Sequence, residues 1–260
     1  MTQFFYQLYK WLIYAPLFLI NTAVCTVLAL LISPFSRRLA SRWVGWLWSR
    51  GNFLVTPARV TTAGREHIDP SQVYIIAANH LSQYDIFVLY GWLGLDLRWV
   101  MKKELRRVPL IGIACQAMGY VFIDRNNSSE SRRVLEEVKA SLTPGMSLTF
   151  FPEGTRSLDG RLKPFKKGAF ATAKDLDLAI LPVTIGGTDR ILPPATLDLR
   201  PGDATLVIHP PIARETVRSL SARELAGLCR EAIQSGMEPK RDQPTSESHS
   251  STNLSASPDQ

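Results

Sequence analysis

The apolar positions of the chain fall into distinct regimes. From Trp11 to Ser33 they run almost without interruption and without a charge. A helix over this stretch is about 34 Å long, enough to cross a bilayer. Pro16 can kink it, and Asn21, Thr22 and Thr26 place polarity near its middle. Ser33-Pro34-Phe35 then breaks the helix, and RRLASRWVGWLWSRG follows, with Arg37, Arg38, Arg42 and Arg50 set among Trp43, Trp46 and Trp48. A basic, tryptophan-rich helix of this kind suits the headgroup layer. Two geometries satisfy the pattern: a single span with the arginines on the cytoplasmic side, or a two-helix hairpin embedded in one leaflet. Both leave the following domain facing the cytoplasm. The apolar run is long and no small-x-small site precedes a polar start, so a cleaved signal peptide is disfavoured.

From about Arg59 the pattern becomes that of short apolar, β-branched runs separated by helical segments. Strands are predicted at ARVTTA, VYIIAA, LRWVM, GYVFID, SLTFF, LAILPVTI and ATLVIHP. Asn127 with Glu130, and Ser221 with Glu224, have capping-box spacing and open two helices, the second closed by Gly236. The fold class is α/β: a central mixed sheet flanked by helices, preceded by an N-terminal membrane-anchoring helical segment. After Lys240 the chain turns to Ser, Thr, Pro, Asn and Gln, which build no core. The expected organisation is an anchor over residues 1–55, a catalytic domain over 56–240 and a disordered tail over 241–260.

Composition changes this picture in two respects. The 260 residues carry a net charge of +7, and the tryptophans cluster near the N-terminus, which suits an anionic membrane surface and anionic substrates. Nucleic acid also attracts basic proteins, but the chain has no basic stripe interleaved with aromatics and no zinc-finger or RNP pattern. Cys25, Cys115 and Cys229 are scattered and odd in number, indicating neither a disulfide framework nor a metal site.

The densest chemistry lies at Asn79-His-Leu-Ser-Gln-Tyr-Asp85, between a buried-type strand and a helix start. His80 is the residue type best able to accept and return a proton near neutrality. A tight turn can bring the Asp85 carboxylate to one imidazole nitrogen and leave the other facing outward. Asp85 can equally cap the following helix, and a lone His–Asp pair is as readily structural.

Further blocks follow in order: VFIDR at Val121 to Arg125, FPEGTRS at Phe151 to Ser157, and ILPVTI at Ile180 to Ile185. Together with NHLSQYD they resemble the signature blocks of the glycerolipid acyltransferases, which include the 1-acylglycerol-3-phosphate acyltransferases. The resemblance implies that His80 and Asp85 are catalytic and that Arg125, Glu153, Gly154 and Arg156 bind the acceptor. It implies more weakly that Pro182 belongs to the acyl-donor side. Some members use a one-leaflet hairpin.

The residues add their own constraints. Arginines at strand ends can hold a phosphate by two points, although Arg125 is as readily a surface ion pair with Asp124. Gly154 lets backbone approach a ligand. Pro182, inside an apolar run, marks an edge or a bend of the sheet. Lys102 and Lys103 could stabilise an oxyanion, and Lys163, Lys166 and Lys167 could meet acidic headgroups or coenzyme A phosphates; a solvated face is the alternative for both clusters.

The implied activity is direct acyl transfer. His80, oriented by Asp85, deprotonates a lysophospholipid hydroxyl, which attacks the thioester of acyl-CoA or acyl-acyl carrier protein, a co-substrate; no cofactor and no metal is expected. Neither GxSxG nor a Cys-centred motif nor HExxH is present. A lipid hydrolase activating water or Ser82, a non-catalytic membrane-binding protein, and an acyltransferase for another lysolipid, such as lyso-ornithine lipid, are the rival readings.

Overall fold

The computed structural model describes residues 2–124, 133–134, 137–139 and 141–237. Arg125, most of the helix expected after Asn127 and the tail over 241–260 lie outside the described residues; 133–134 and 137–139 of that helix are helical.

The N-terminal fifth is an antiparallel pair of helices. Helix α1 runs continuously through Thr2–Tyr9, a π-helical turn Lys10–Tyr14 and Ala15–Ile32. The widened turn immediately precedes Pro16, whose missing N–H and ring are accommodated there without ending the helix. Its 28-residue stretch Phe5–Ile32 is long and apolar enough to cross a membrane. The chain turns at Ser33 to Phe35, and Ser36 caps helix α2 by accepting from Leu39 N at 3.2 Å. Helix α2 comprises Arg37–Leu39, a second π-helical turn Ala40–Val44 and Gly45–Leu54. The mid-helix polar residues of α1 face this partner: Asn21 Nδ2 donates to Trp48 O at 2.9 Å, and Trp48 Nε1 donates to Thr22 Oγ1 at 3.0 Å.

The remaining chain forms one seven-stranded sheet with helices on both faces. In chain order the strands are β1 (Ala58–Ala63), β2 (Tyr74–Ala78), β3 (Asp96–Lys102), β4 (Val121–Ile123), β5 (Met146–Phe150), β6 (Ala179–Gly186) and β7 (Gly202–Ile208). The sheet order is β1-β7-β6-β2-β5-β3-β4, and every neighbouring pair is parallel except β6 with β7. Helix α3 (Tyr84–Trp92) follows β2, α4 (Ile111–Ala117) lies between β3 and β4, and α5 (Gly168–Leu176) lies between β5 and β6. A single turn, α6 (Thr188–Ile191), follows β6; α7 (Arg214–Ser219) and α8 (Ala222–Ser235) close the domain. Every residue of β2 and β5 is buried, as expected of parallel strands covered on both sides.

Alternation along β2 sorts the core into two layers. Tyr74, Ile76 and Ala78 pack with α3 and with Cys25, Ala29, Ala40, Val44 and Phe53 of the N-terminal helices. Ile75 and Ala77 pack on the other face with α5 and α8. Packing therefore runs across residue 55 without a break. Helix α2 docks on α3 at close range: Ser49 Oγ donates to Phe87 O at 2.5 Å, and a Cβ added at Gly91 would stand 2.5 Å from that hydroxyl. The Arg50 guanidinium stacks 3.9 Å above the Trp92 ring.

Two local expectations change. Pro182 marks no sheet edge: β6 lies between β7 and β2. Its carbonyl accepts from His209 N at 3.0 Å, and its nitrogen faces the same side, just beyond the last ladder pair Val183↔Ile208, where β7 departs. The strand tolerates proline because the ladder ends there. Gly236 does end α8, whose Ser221–Glu224 capping box is complete, but at φ −88°, outside the left-handed region. Glycine is needed for space, since a Cβ would meet Thr184 Oγ1 at 2.8 Å and the His209 ring at 3.0 Å.

Candidate active site

The carboxyl ends of β2, β5 and β6 meet where the chain has passed to one side of β2 and returns on the other, the position at which open α/β sheets place ligands. In the parallel register Ala77 faces Phe150, so three further residues on each strand bring His80 level with Glu153. On the other flank the register ends at Ala78↔Val183. There Asn79 extends the pairing with its side chain: Nδ2 donates to Ile185 O at 2.8 Å, and Oδ1 accepts from Ile185 N at 2.7 Å. The main chain is thereby free to turn out of the sheet while remaining tied to it.

Asp85, in the first turn of α3, is fully buried and collects four donors. Its Oδ2 accepts from His80 Nδ1 at 2.7 Å, Leu81 N at 2.7 Å and Ser82 N at 2.9 Å. Its Oδ1 accepts from Thr188 Oγ1 at 2.5 Å. The two backbone N–H groups already make Oδ2 an acceptor, whatever the direction at Nδ1. His80 must therefore present a proton on Nδ1, which leaves Nε2 unprotonated in the neutral ring. The imidazole stacks on Phe151, ring centroids 3.8 Å apart and planes 5° from parallel, and its side chain retains 16% exposure. One nitrogen is anchored and the other is available to a hydroxyl, the geometry a general base needs.

Glu153 binds the turn from the opposite strand. Its side chain is buried and turned inward: Oε1 accepts from His80 N at 2.7 Å and Oε2 from Lys163 N at 3.0 Å. Burial pushes its carboxyl above the usual carboxylate range, and these two N–H groups oppose that shift. Ser157 N donates to His80 O at 2.8 Å, so the FPEGTRS loop holds both backbone groups of His80. Gly154 has φ +75° and a Cβ there would touch the Lys166 side chain. This is one turn where glycine's left-handed freedom is required.

The remaining predicted residues are placed as follows. Arg156 is half-buried; its carbonyl accepts from Lys163 Nζ at 2.7 Å, and its guanidinium has no ion pair among the described residues. Lys102 and Lys103 are exposed at the carboxyl end of β3, which β5 separates from β2. Pro182 is buried in β6, facing Ala77 of β2. Arg125 lies outside the described residues. Ser82, an alternative nucleophile by residue type, is buried and engaged: Oγ donates to Leu192 O at 2.6 Å and accepts from Tyr84 N at 3.2 Å. Sequence reasoning missed Phe151, the Asn79 side-chain ladder and Thr188. For Thr188 the only signal was the Gly-Gly-Thr turn closing the last strand block.

The acyltransferase family model matches residues 59–186, from β1 to the end of β6. The chain is 32% identical over 235 residues to a 1-acyl-sn-glycerol-3-phosphate acyltransferase of Chlamydomonas reinhardtii, covering 89% of this chain and 68% of that protein. It is 35% identical over 188 residues to a chloroplastic 1-acyl-sn-glycerol-3-phosphate acyltransferase of Arabidopsis thaliana, but spans only 51% of that protein's length. The crystal structure of a 1-acyl-sn-glycerophosphate acyltransferase from Thermotoga maritima superposes with a TM-score of 0.72 at 27% identity, covering 86% of this chain and 93% of that one. A buried, fully satisfied aspartate behind an outward-facing histidine, on a sheet shared with the Thermotoga maritima enzyme, agrees with what the Chlamydomonas relative and the family model show: the chain belongs to the acyltransferase family.

Proposed function

We propose that the protein transfers a fatty acyl group from an acyl thioester, acyl-CoA or acyl-acyl carrier protein, to the free sn-2 hydroxyl of 1-acylglycerol-3-phosphate, giving phosphatidic acid. The observation that carries this reading is the His80–Asp85 pair, with Nδ1 held at 2.7 Å and Nε2 left for the acceptor hydroxyl. The hydroxyl proton passes to Nε2, and Asp85 stabilises the imidazolium. The oxygen attacks the thioester carbonyl, the tetrahedral oxyanion collapses, and the thiolate leaves with the proton returned from Nε2. Glu153 contributes by fixing the backbone of His80. Arg156, joined by Arg125, neutralises the acceptor phosphate.

Direct transfer is favoured over an acyl-enzyme route by the state of the candidate nucleophiles. Ser82 is hydrogen-bonded inward. Cys115 and Cys229 are buried, and burial pushes each thiol up to about 12, far from a thiolate at neutral pH. Acceptor choice rests on the names of the relatives and on the cations Arg156, Lys163, Lys166 and Lys167 that follow Glu153. The N-terminal helices hold the enzyme at the membrane with the catalytic domain on the cytoplasmic side.

The test is product analysis with purified full-length protein, a panel of lysolipids and both donor types. Phosphatidic acid from 1-acylglycerol-3-phosphate should dominate. Preferred acylation of lyso-ornithine lipid, or release of fatty acid without an acceptor, would overturn the assignment. In the same assay Arg156→Lys should raise the acceptor KM by about tenfold with the donor KM little changed, since lysine keeps the charge but loses the planar fork.

A further inference from the structure

The segment between β3 and α4 makes a short 3-10 turn, Lys103–Arg107, and reaches α4 through Val108, Pro109 and Leu110. Leu110 has φ 62° and ψ −59°, and Ile111 N donates across it to Pro109 O at 2.7 Å. That is a γ-turn of the strained hand, which a bulky L-residue rarely adopts. The strained residue gains no core contact in return: Leu110 is exposed, as are Leu105 and Ile113 beside it. The surroundings are rigid. Gly112 N donates to Val108 O at 2.8 Å, Arg106 Nε donates to Gln116 Oε1 at 2.6 Å, and a Cβ at Gly112 would meet Arg106 O at 2.3 Å. A fixed loop that holds a leucine outward in a strained turn is built for a surface that covers it.

Position and charge identify the surface. Ala114, Cys115 and Met118 of this segment share a core with Cys25 and Ala29 of α1, and a Cβ at Gly119 would stand 3.1 Å from Arg37 Cδ. Helix α4, which the loop enters, is therefore seated against the N-terminal helix pair. Lys102, Lys103, Arg106 and Arg107, four cations against the single carboxylate Glu104, flank the exposed apolar residues. Apolar residues flanked by cations match an anionic lipid interface. The loop also leaves β3 at the carboxyl edge of the sheet, the edge that carries His80.

We propose that Lys102 to Ile113 is a second membrane contact, separate from the N-terminal helices, which inserts Leu105, Leu110 and Ile113 into an anionic leaflet beside the active-site edge. Lysolipid acceptors then reach His80 from the bilayer without crossing water. The inference rests on the reading of the substrates as membrane lipids.

The cysteines at 25, 115 and 229 are buried, so single labels can be introduced on the full-length enzyme at Leu110→Cys, Ile113→Cys and, as a control on α8, Leu228→Cys. Spin labels are read in phosphatidylcholine vesicles with and without phosphatidylglycerol, by relaxation with oxygen and with a water-soluble nickel complex. Labels at 110 and 113 should be oxygen-accessible and nickel-protected, most strongly with phosphatidylglycerol, while the label at 228 stays aqueous. Nickel access at all three sites on vesicle-bound enzyme would overturn the proposal. So would protection of 110 from both reagents, which would indicate a protein partner. Leu110→Gly relieves the strained turn and should raise the melting temperature while lowering the rate on vesicle-embedded acceptor by roughly fivefold, with the rate on a short-chain soluble acceptor unchanged. Equal rates on both acceptors relative to wild type would also refute it. Label depth is read without turnover, so a wrong acceptor assignment leaves that result untouched, and aqueous labels on an enzyme that still transfers acyl groups refute the contact alone.

Discussion

The catalytic turn and helix α1 are flanked by equally apolar sequence, yet they satisfy it in opposite ways. In the turn, Asp85, Asn79, Ser82 and Glu153 are all buried and all hydrogen-bonded to protein. In α1 the polar side chains point inward to α2, while Leu12, Leu19, Ile20, Val27 and Leu31 are exposed. A buried polar network loses heavily when one partner is removed, because the other is left unsatisfied. An outward apolar face keeps its internal contacts and changes only its partition between phases. Sensitivity to mutation should therefore be steep in one region and shallow in the other.

The steepest effect is expected at His80. His80→Ala should lower kcat on the order of a thousandfold with membrane association unchanged, because the proton acceptor is gone while the N-terminal helices are untouched. Asp85→Asn should cost about a hundredfold or more, since an amide NH2 then faces groups that are themselves donors. Steady-state kinetics with vesicle sedimentation on the same preparations checks both; near-wild-type turnover in His80→Ala would remove the catalytic role.

Next comes the inner face of the N-terminal pair. Gly91→Leu forces a side chain against Ser49 at the α2–α3 contact and should destabilise the fold by about 1–3 kcal/mol. Val24→Leu on the exposed face of α1 should stay within about 0.5 kcal/mol. Denaturant midpoints in a mild detergent would measure the pair. Equal losses would mean that the two faces of the helix pair are covered alike.

Thr188→Val keeps the shape but removes the donor to Asp85 Oδ1. A fall in kcat of about tenfold is expected, with Thr188→Ser near wild type. An unchanged kcat in the valine variant would show that three donors suffice to hold the carboxylate.

The smallest effect is electrostatic. Burial, with His67 nearby, holds the His209 pKa below the ordinary 6.5, so the ring is neutral in the fold at neutral pH. Thr184 Oγ1 donates to Ile233 O at 2.8 Å and so accepts from His209 Nε2, also at 2.8 Å. Because the unfolded ring protonates first, stability is fully present above the unfolded pKa and is lost as pH falls through the lower folded one. Melting temperature should therefore fall more steeply below about pH 6.5 in wild type than in His209→Gln. Parallel curves would exclude His209 as the source.

Much of this was legible along the chain because it is local. Each strand segment lies where alternation and β-branching placed it, from Ala58–Ala63 to Gly202–Ile208, and the Ser221–Glu224 cap is satisfied within its own helix. The His80–Asp85 bond spans five residues, and a turn that short leaves few alternatives. Charge-free apolar length likewise marked Trp11 to Ser33 as a candidate span, and the helix that contains it is long and apolar enough over Phe5–Ile32. What the sequence could not contain is the pairing order of the strands. Only the tertiary structure places β5 and β6 on either side of β2, turns Glu153 inward to His80 N, and carries Thr188 across 103 positions to Asp85. The same holds for Pro182, whose place depends on where β7 leaves the ladder, and for Leu110, whose strain belongs to the short connection from the 3-10 turn into α4. Short-range hydrogen bonding is decided by residue type and spacing; long-range register is decided by which apolar faces bury one another, and many arrangements satisfy the same pattern until one of them packs.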